Sequence, residues 1–406
     1  MKILEINKFF YPRRGAERHM LDVTHLLEKR GHEVRIFSMV HEENLPHVFS
    51  KYFVSYVGYN KDDSTLWQRF VGVGRLFWSF EARRKIEQLL DEWRPDIAHL
   101  HNIYHQFSPS ILGPLKEHGI PVVLTVHDYN LISPDKDAYY EEVGKTYWKF
   151  LFINKYGFLK RLLLVFKMYW NDFFRFYENG VDYFIAPSDF VKRILVRAGM
   201  PEEKIITWPH FIPESEEEKL GRPVLASVPT EPFALYFGSL SEEKGITSLV
   251  DIFETLQIPL VLVGSEENSY EVPKSQFAHY RGRQTKREIQ EWVDRSSLVV
   301  SASSLAETFG LIALESIARG KPFFGLNHGA LPEIISNGKN GFLGKNIADL
   351  QVALRKFFQE ELSFVAEDIR KDAYQRFSEE RYALALEAFF ANLKKKAEDK
   401  LIDGAF

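Results

Sequence analysis

Cysteine is absent from the 406 residues, which excludes a disulfide framework, a thiolate metal site and a cysteine nucleophile. Positive charge is not in excess either: 52 Lys and Arg stand against 56 Asp and Glu, a formal net charge of −4. No overall basic field therefore points to a nucleic-acid partner. No uninterrupted apolar run reaches the roughly 18 residues expected of a membrane-spanning helix. The start, Met1-Lys-Ile-Leu-Glu-Ile-Asn7, is charged too early for a signal peptide and reads as a strand. A Gly-x-Gly-x-x-Gly fingerprint following a strand is also missing; Gly72-Val-Gly74 lacks the third glycine, which disfavours a nicotinamide enzyme. The expectation is a cytoplasmic protein, at most peripheral to a membrane.

What is present is apolar material for two cores, 45% of the chain, in a length that exceeds one typical domain. Short apolar runs alternate with amphipathic stretches. Segments 2–7, 33–38, 96–101, 121–126 and 182–187 read as strands of a parallel sheet. Between the first two, residues 17–30 place Met20, Val23, Leu26 and Leu27 at helical spacing, with Gly31 as a stop. Residues 209–232 are acidic and proline-bearing, as a linker would be. The strand pattern restarts at 233–237, 259–263, 277–280, 297–301 and 322–325. The fold class is thus α/β, two Rossmann-like doubly wound domains with a cleft between them: 1–208, and 233–376 after the linker. Ligands of such sheets bind on the strand-to-helix loops.

Residues 139–177 break the regularity. They interleave Tyr147, Trp148, Phe150, Phe158, Phe166 and Phe173 with Lys149, Lys155, Lys160, Arg161 and Lys167. Two readings stay open: a helical excursion packed on its own domain, and a surface for a membrane or lipid-linked acceptor.

The densest chemistry lies at Glu307-Thr-Phe-Gly-Leu-Ile-Ala-Leu-Glu315. It follows a strand and opens a helix. A carboxylate before a helix start can accept hydrogen bonds from sugar hydroxyls, while the first-turn amides face an anion. Gly310 lets a diphosphate approach the backbone. Glu315 stands among Leu314, Ile317 and Ala318, where a carboxylate needs a partner such as a ribose diol. Taken singly, Glu307 as an N-cap and Glu315 as a solvated helix residue would both be unremarkable.

Glu307-x7-Glu315 resembles the E-x7-E motif of the retaining glycosyltransferases of family 4, which have the two-domain GT-B fold. Further segments are similar to that family in order along the chain: Pro12-Arg-Arg-Gly-Ala-Glu17, Thr125-Val-His-Asp128, Ala186-Pro-Ser-Asp-Phe190, Phe237-Gly-Ser-Leu-Ser-Glu-Glu-Lys-Gly245 and Gly329-Ala-Leu-Pro-Glu333. The resemblance implies that Glu307 holds the transferring sugar, Glu315 the ribose, and Thr308, Phe309, Gly310 and Leu311 the diphosphate. It gives Lys244 the charge of the leaving diphosphate, His127 a contact near the reaction centre, and Gly15 the close approach of a loop to the sugar. Residues around Arg283 fall where relatives contact the base, and the segment 377–406 resembles the family's closing helix, which crosses back onto the first domain.

Two positions depart from the pattern. Arg14 stands where many relatives have glycine, and Ser239 where the family usually has arginine. A serine there donates a hydrogen bond but brings no charge.

The resulting expectation is a retaining, metal-independent glycosyltransferase of polysaccharide biosynthesis. It would move a hexosyl group from a UDP- or GDP-sugar to a glycan or lipid-linked acceptor, with no further cofactor. The alternative is a non-catalytic GT-B protein that binds a nucleotide sugar.

Overall fold

The computed structural model describes residues 1–57, 66–214, 225, 228–266 and 270–402. Most of the acidic linker, 215–224 with 226 and 227, lies outside the described residues. The chain forms two compact units, one of Met1–Pro209 together with the C-terminal stretch from Glu380, the other of His210–Glu379.

Unit 1 is built on six parallel strands: β1 (Lys2–Ile6), β2 (Glu33–Phe37), β3 (Ile97–Leu100), β4 (Val122–Thr125), β5 (Tyr183–Ala186) and β6 (Ile205–Thr207). Their order across the sheet is β2-β1-β3-β4-β5-β6. Strands such as β3 and β4 are buried at every residue, because helices cover both faces of a parallel sheet and leave no polar side. The helix Gly15–Lys29 shows how the sequence achieves this. Met20, Val23, Leu26 and Leu27 recur on one face and are buried, as their spacing predicts.

The C-terminal helix Glu379–Ile402 packs within unit 1 from Glu380 onward. Phe390 is fully buried with its ring 5.7 Å from that of His99, and Phe389 lies edge-on to Tyr183 at 5.4 Å. Glu387 binds Arg30 and His32 at 2.8 Å, and Lys394 binds Asp96 at 3.0 Å.

Unit 2 repeats the plan with β7 (Ala234–Phe237), β8 (Leu260–Val263), β9 (Ala278–Tyr280), β10 (Leu298–Val300), β11 (Phe323–Leu326) and β12 (Gly341–Gly344), ordered β12-β11-β10-β7-β8-β9. One core forms on each face of this sheet, centred on Trp292, Phe309, Phe323 and Phe377 and on Tyr236, Phe253, Phe324 and Leu354. The helix Lys286–Arg295 begins at a capping box in which Thr285 and Glu288 exchange hydrogen bonds.

Two α/β units of this kind are the expected GT-B plan. The sequence pattern did not disclose β6 and β12. The first is β-branched throughout (Ile205-Ile-Thr207) but only three residues long before Trp208-Pro209, and the second carries a glycine at each end, so neither makes a run long enough to stand out.

The aromatic segment is helical over Phe158–Phe174. Its inner face places Leu164, Val165 and Met168 in a small core with Val143, Tyr147 and Phe150. The outer face leaves Phe158, Leu159 and Phe173 exposed at 61%, 69% and 81%. Most of the basic residues also make contacts within the protein. Lys155 pairs with the buried Asp135 at 2.8 Å, Arg161 donates to the carbonyls of Leu151 and Ile153, and Lys160 lies 4.0 Å from the Tyr156 ring centre. The outward surface of residues 139–177 therefore combines exposed apolar side chains with the exposed Lys149 and Lys160.

Candidate functional site

In unit 2 the strand order reverses at β7: β8 and β9 follow on one side, β10 to β12 on the other. The place for a ligand is beyond the carboxyl ends of the two strands at that reversal. The loops there are 238–245 after β7 and 301–310 after β10, and they carry Lys244 and Glu307. The Lys244 Nζ lies 2.6 Å from Glu307 Oε1, with both side chains about a quarter exposed, 25% and 29%.

Two glycines let backbone close around this pair. A Cβ on Gly245, at φ 72°, would fall 2.0 Å from the carbonyl oxygen of Ala302, and one on Gly329, at φ 63°, 2.6 Å from the Glu307 nitrogen. Only glycine tolerates both the conformation and the approach. Backbone bonds complete the frame. Ser304 N–H donates to the Glu243 carbonyl at 3.0 Å, and Ala330 N–H to the Glu307 carbonyl at 2.9 Å. Both side chains of the pair thus stand on loops fixed from two directions.

The helix Leu311–Ala318 starts directly after, with Gly310 as its N-cap at φ 103°. Its first amides have no acceptor within the helix, and its N-terminus carries the positive end of the peptide dipoles. Leu311 and Glu315, one turn apart, are both half-buried, whereas Leu314, Ile317 and Ala318 are buried. Glu315 therefore borders the core rather than lying in it. Phe309 is a core residue, its ring 4.8 Å from that of His210 and 6.0 Å from that of Phe377. Only its backbone is placed for a ligand. Thr308 and Ser239 are half-buried; the Ser239 carbonyl accepts from the Tyr236 hydroxyl at 2.7 Å. Arg283 is exposed, on the loop after the edge strand β9, where the sheet order sets it two strands from the reversal.

Unit 1 holds Gly15 and His127. Gly15 is the first residue of its helix, following an extended Arg14. His127, two residues beyond β4, is half-buried, and its Nε2 lies 2.8 Å from His101 Nδ1. Behind His101 stands a charged residue that sequence reasoning passed over. Glu5, fully buried on β1, receives His101 Nε2 at 2.8 Å on one oxygen and His99 Nδ1 at 3.0 Å on the other. His99 Nε2 lies 2.8 Å from Thr125 Oγ1.

The Glu5–His101 part of this network has a definite proton order at neutral pH. Burial opposes the Glu5 charge, yet the fields and hydrogen bonds of His99 and His101 prevail and hold its carboxyl at about 2. Burial, reinforced by His99, lowers His101 to about 4. An ionised carboxylate only accepts, so His101 donates from Nε2 and its Nδ1 bears the lone pair. His127 must then donate from Nε2.

Glu5, His99 and His101 are also the group with metal-ligand spacing among the described residues. Their nitrogen-to-oxygen separations are hydrogen-bond lengths. Ligands about 2.0 Å from a tetrahedral ion stand roughly 3.3 Å apart, so the geometry is that of a proton network. The signal for it lay in Glu5 between the apolar Leu4 and Ile6, and in two histidines at the period-2 spacing of β3.

Residues 13–216 match the family described as Glycosyltransferase Family 4, and residues 218–376 the family described as Glycosyl transferases group 1. An uncharacterized glycosyltransferase of Methanocaldococcus jannaschii is 26% identical over 170 residues, 40% of this chain and 48% of the relative. The chain thus spans about half the length of that curated relative. Among solved structures, HepE of Anabaena, crystallised with UDP and glucose, superposes with a TM-score of 0.67 at 17% identity, covering 97% of this chain and 100% of that one. The sucrose-phosphate synthase of Thermosynechococcus elongatus gives 0.69 at 16%, covering 97% and 98%.

Proposed function

The chain belongs to glycosyltransferase family 4, and from that premise we propose that it is a retaining, metal-independent hexosyltransferase. It uses a nucleotide diphosphate sugar, UDP- or GDP-linked, and a glycan or lipid-linked acceptor. The observation that carries this reading is the Lys244–Glu307 pair at the strand reversal of unit 2, beside the N-terminus of the helix Leu311–Ala318. A sugar diphosphate presents hydroxyls at one end and a dianionic leaving group at the other. Glu307 accepts from the hydroxyls, and the amides around Gly310 and Leu311 hold the diphosphate. Lys244 neutralises the charge that gathers as the glycosidic bond breaks. Glu315 takes the ribose diol. A UDP-linked donor draws support from the likeness to a structure crystallised with UDP and glucose.

Retention follows if the acceptor attacks from the face the diphosphate leaves, with a leaving oxygen taking the acceptor's proton. The protein then supplies position and fixed charge rather than a covalent nucleophile. Stabilisation of the protein by UDP, GDP and ADP, followed by transfer or slow hydrolysis with the matching sugar donor, tests the assignment. No stabilisation by any of them refutes it. Binding without turnover would support a non-catalytic nucleotide-sugar protein instead.

A second reading concerns location. The exposed Phe158, Leu159 and Phe173 give the helix Phe158–Phe174 an apolar outer face suited to the membrane interface. No helix among the described residues is long and apolar enough to cross a membrane, so the contact proposed is peripheral.

A further inference from the structure

Unit 1 has its own reversal of strand order, between β1 and β3, and a sheet of this kind takes a ligand beyond the carboxyl ends of those strands. Lys8 follows β1, Tyr104 follows β3, Asp128 follows β4, and Lys167 comes from the inner face of the helix Phe158–Phe174. Lys167 is 3% exposed, and its Nζ has no hydrogen-bond partner among the described residues; the same holds for the buried Tyr104 hydroxyl. A buried ammonium without a partner is strongly unfavourable.

The charges acting on Lys167 are Asp128, which attracts, and Lys8, which repels. Burial brings its ammonium down to about 8 against the pull of Asp128. Asp128 cannot answer both lysines. Its oxygens accept from the Asn130 backbone at 2.9 Å and side chain at 3.0 Å, and burial raises its pKa. Lys8 and Lys136 both act on Asp128 while Glu17 also attracts Lys8, so for Lys167 the carboxylate that attracts it is one already shared. The loop after β3 is held in a costly conformation here, with His105 at φ 72° and Ser108 at φ 56°.

We propose that this region of unit 1 seats a phosphate group of the acceptor, with Lys167 and Lys8 as its cations and the Tyr104 hydroxyl as a hydrogen-bond donor. The inference rests on the glycosyltransferase reading and adds the acceptor's chemical class. A phosphate fits better than a carboxylate, because two ammonium groups and a phenol match its three terminal oxygens. The phosphate is either borne by a lipid or part of a soluble sugar phosphate. The apolar outer face of the helix that carries Lys167 is compatible with a lipid.

Calorimetric titration of the full chain with inorganic phosphate, in wild type, Lys167→Met and Tyr104→Phe, tests the site, and nucleoside diphosphate binding by the same samples reads the donor site separately. Lys167→Met should weaken phosphate at least ~10-fold and leave the nucleotide unchanged, with a smaller loss for Tyr104→Phe. Phosphate binding as in wild type by Lys167→Met overturns the proposal. If no nucleotide binds while the phosphate effect stands, the donor reading falls and the anion site survives. Glucose 1-phosphate in solution, and phosphatidylcholine vesicles with and without phosphatidic acid, separate the two carriers. Whichever phosphate-dependent binding Lys167→Met abolishes names the source, and insensitivity of both refutes the site. Should Lys167→Met fail to fold, Lys8→Met carries the same comparisons.

Discussion

Lys244 and Glu307 hold each other at 2.6 Å, although they come from loops after different strands. The proposed leaving-group cation therefore rests on the proposed sugar-binding carboxylate, and a donor must enter between these two partners. Both side chains are partly exposed, so the pair contributes little to stability, about 0–1 kcal/mol. Its importance lies in placing two opposite charges where a hydroxyl and a phosphate would meet them. Glu307→Gln keeps the shape and removes the charge. Turnover should fall at least ~100-fold, the scale of losing one preorganised contact in a transition state, with the melting temperature nearly unchanged. Steady-state kinetics beside a thermal melt checks both halves, and wild-type turnover in the variant would remove Glu307 from the mechanism.

Ser239 sits on the loop after β7, the same loop that carries Lys244, with its carbonyl held by Tyr236. If this loop faces the diphosphate, Ser239→Arg adds a second cation beside Lys244. Charge-assisted pairs with phosphate are roughly twice as strong as neutral hydrogen bonds, so nucleoside diphosphate affinity should rise several-fold by calorimetry. Unchanged or weaker binding would mean that another group already fills the place.

The candidate donor loop could be proposed from the sequence because its parts are contiguous. Glu307, Gly310 and Glu315 lie within one strand–loop–helix unit, and local spacing predicts their relation. The proton network was not legible, because Glu5, His99, Thr125 and His127 come from three strand regions and meet only through parallel pairing, which sets Glu5 opposite His99. The role of Lys167 was hidden for a related reason. In the sequence it stands with Lys155, Lys160 and Arg161 as one more basic residue among aromatics, whereas contacts in the fold turn each of those three to a different task. Periodicity assigns a residue to a face of its own helix, but the partner of a long charged side chain depends on what packs against that face.

The buried network predicts an acid sensitivity with a definite sign. An unfolded histidine takes its proton near 6.5, whereas folded His101 resists until about 4. Between those values the unfolded chain binds more protons, so stability falls as pH drops. Glu5, held near 2, stabilises the fold above its unfolded pKa, and that contribution is lost as pH falls toward 2. His47, also lowered to about 4 by burial, acts in the same direction as His101, so a variant is needed to separate them. Urea denaturation at pH 7 and pH 5 should show His101→Asn losing about 2 kcal/mol less than wild type over that interval. An equal loss in both would place the acid sensitivity elsewhere.

The proton arrangement of the same network is directly observable. With Glu5 ionised and His101 donating to it, neutral His127 must carry its hydrogen on Nε2. Long-range nitrogen–proton NMR on histidine-labelled protein, with His127 assigned by its loss in His127→Asn, should report a protonated Nε2 and a bare Nδ1 at pH 7.5. In Glu5→Gln the side-chain amide must donate to one of the two rings it faces, so either His99 or His101 reverses. A reversal at His101 moves the His127 proton to Nδ1. The opposite tautomer in the wild-type protein would break the chain of donors.

The membrane reading makes a prediction that distinguishes apolar insertion from charge attraction. Lys155, Lys160 and Arg161 make intramolecular contacts, so reversing their charge would disturb the fold of the segment rather than test a surface. The outward residues are Phe158, Leu159 and Phe173. Burying such side chains in the interface is favourable by about 1.5–3 kcal/mol each when complete, and ionic screening acts on exposed charges, not on apolar area. Co-sedimentation with phosphatidylcholine vesicles should therefore persist at 0.5 M salt, about five times the ionic strength at which the Debye length is ~10 Å. Phe158→Ser combined with Phe173→Ser should weaken it at least ~10-fold, because both rings are solvent-facing and their loss leaves the inner core of Leu164, Val165 and Met168 intact. Binding that vanishes with salt, or survives the double substitution unchanged, would show that this face is not what meets the membrane.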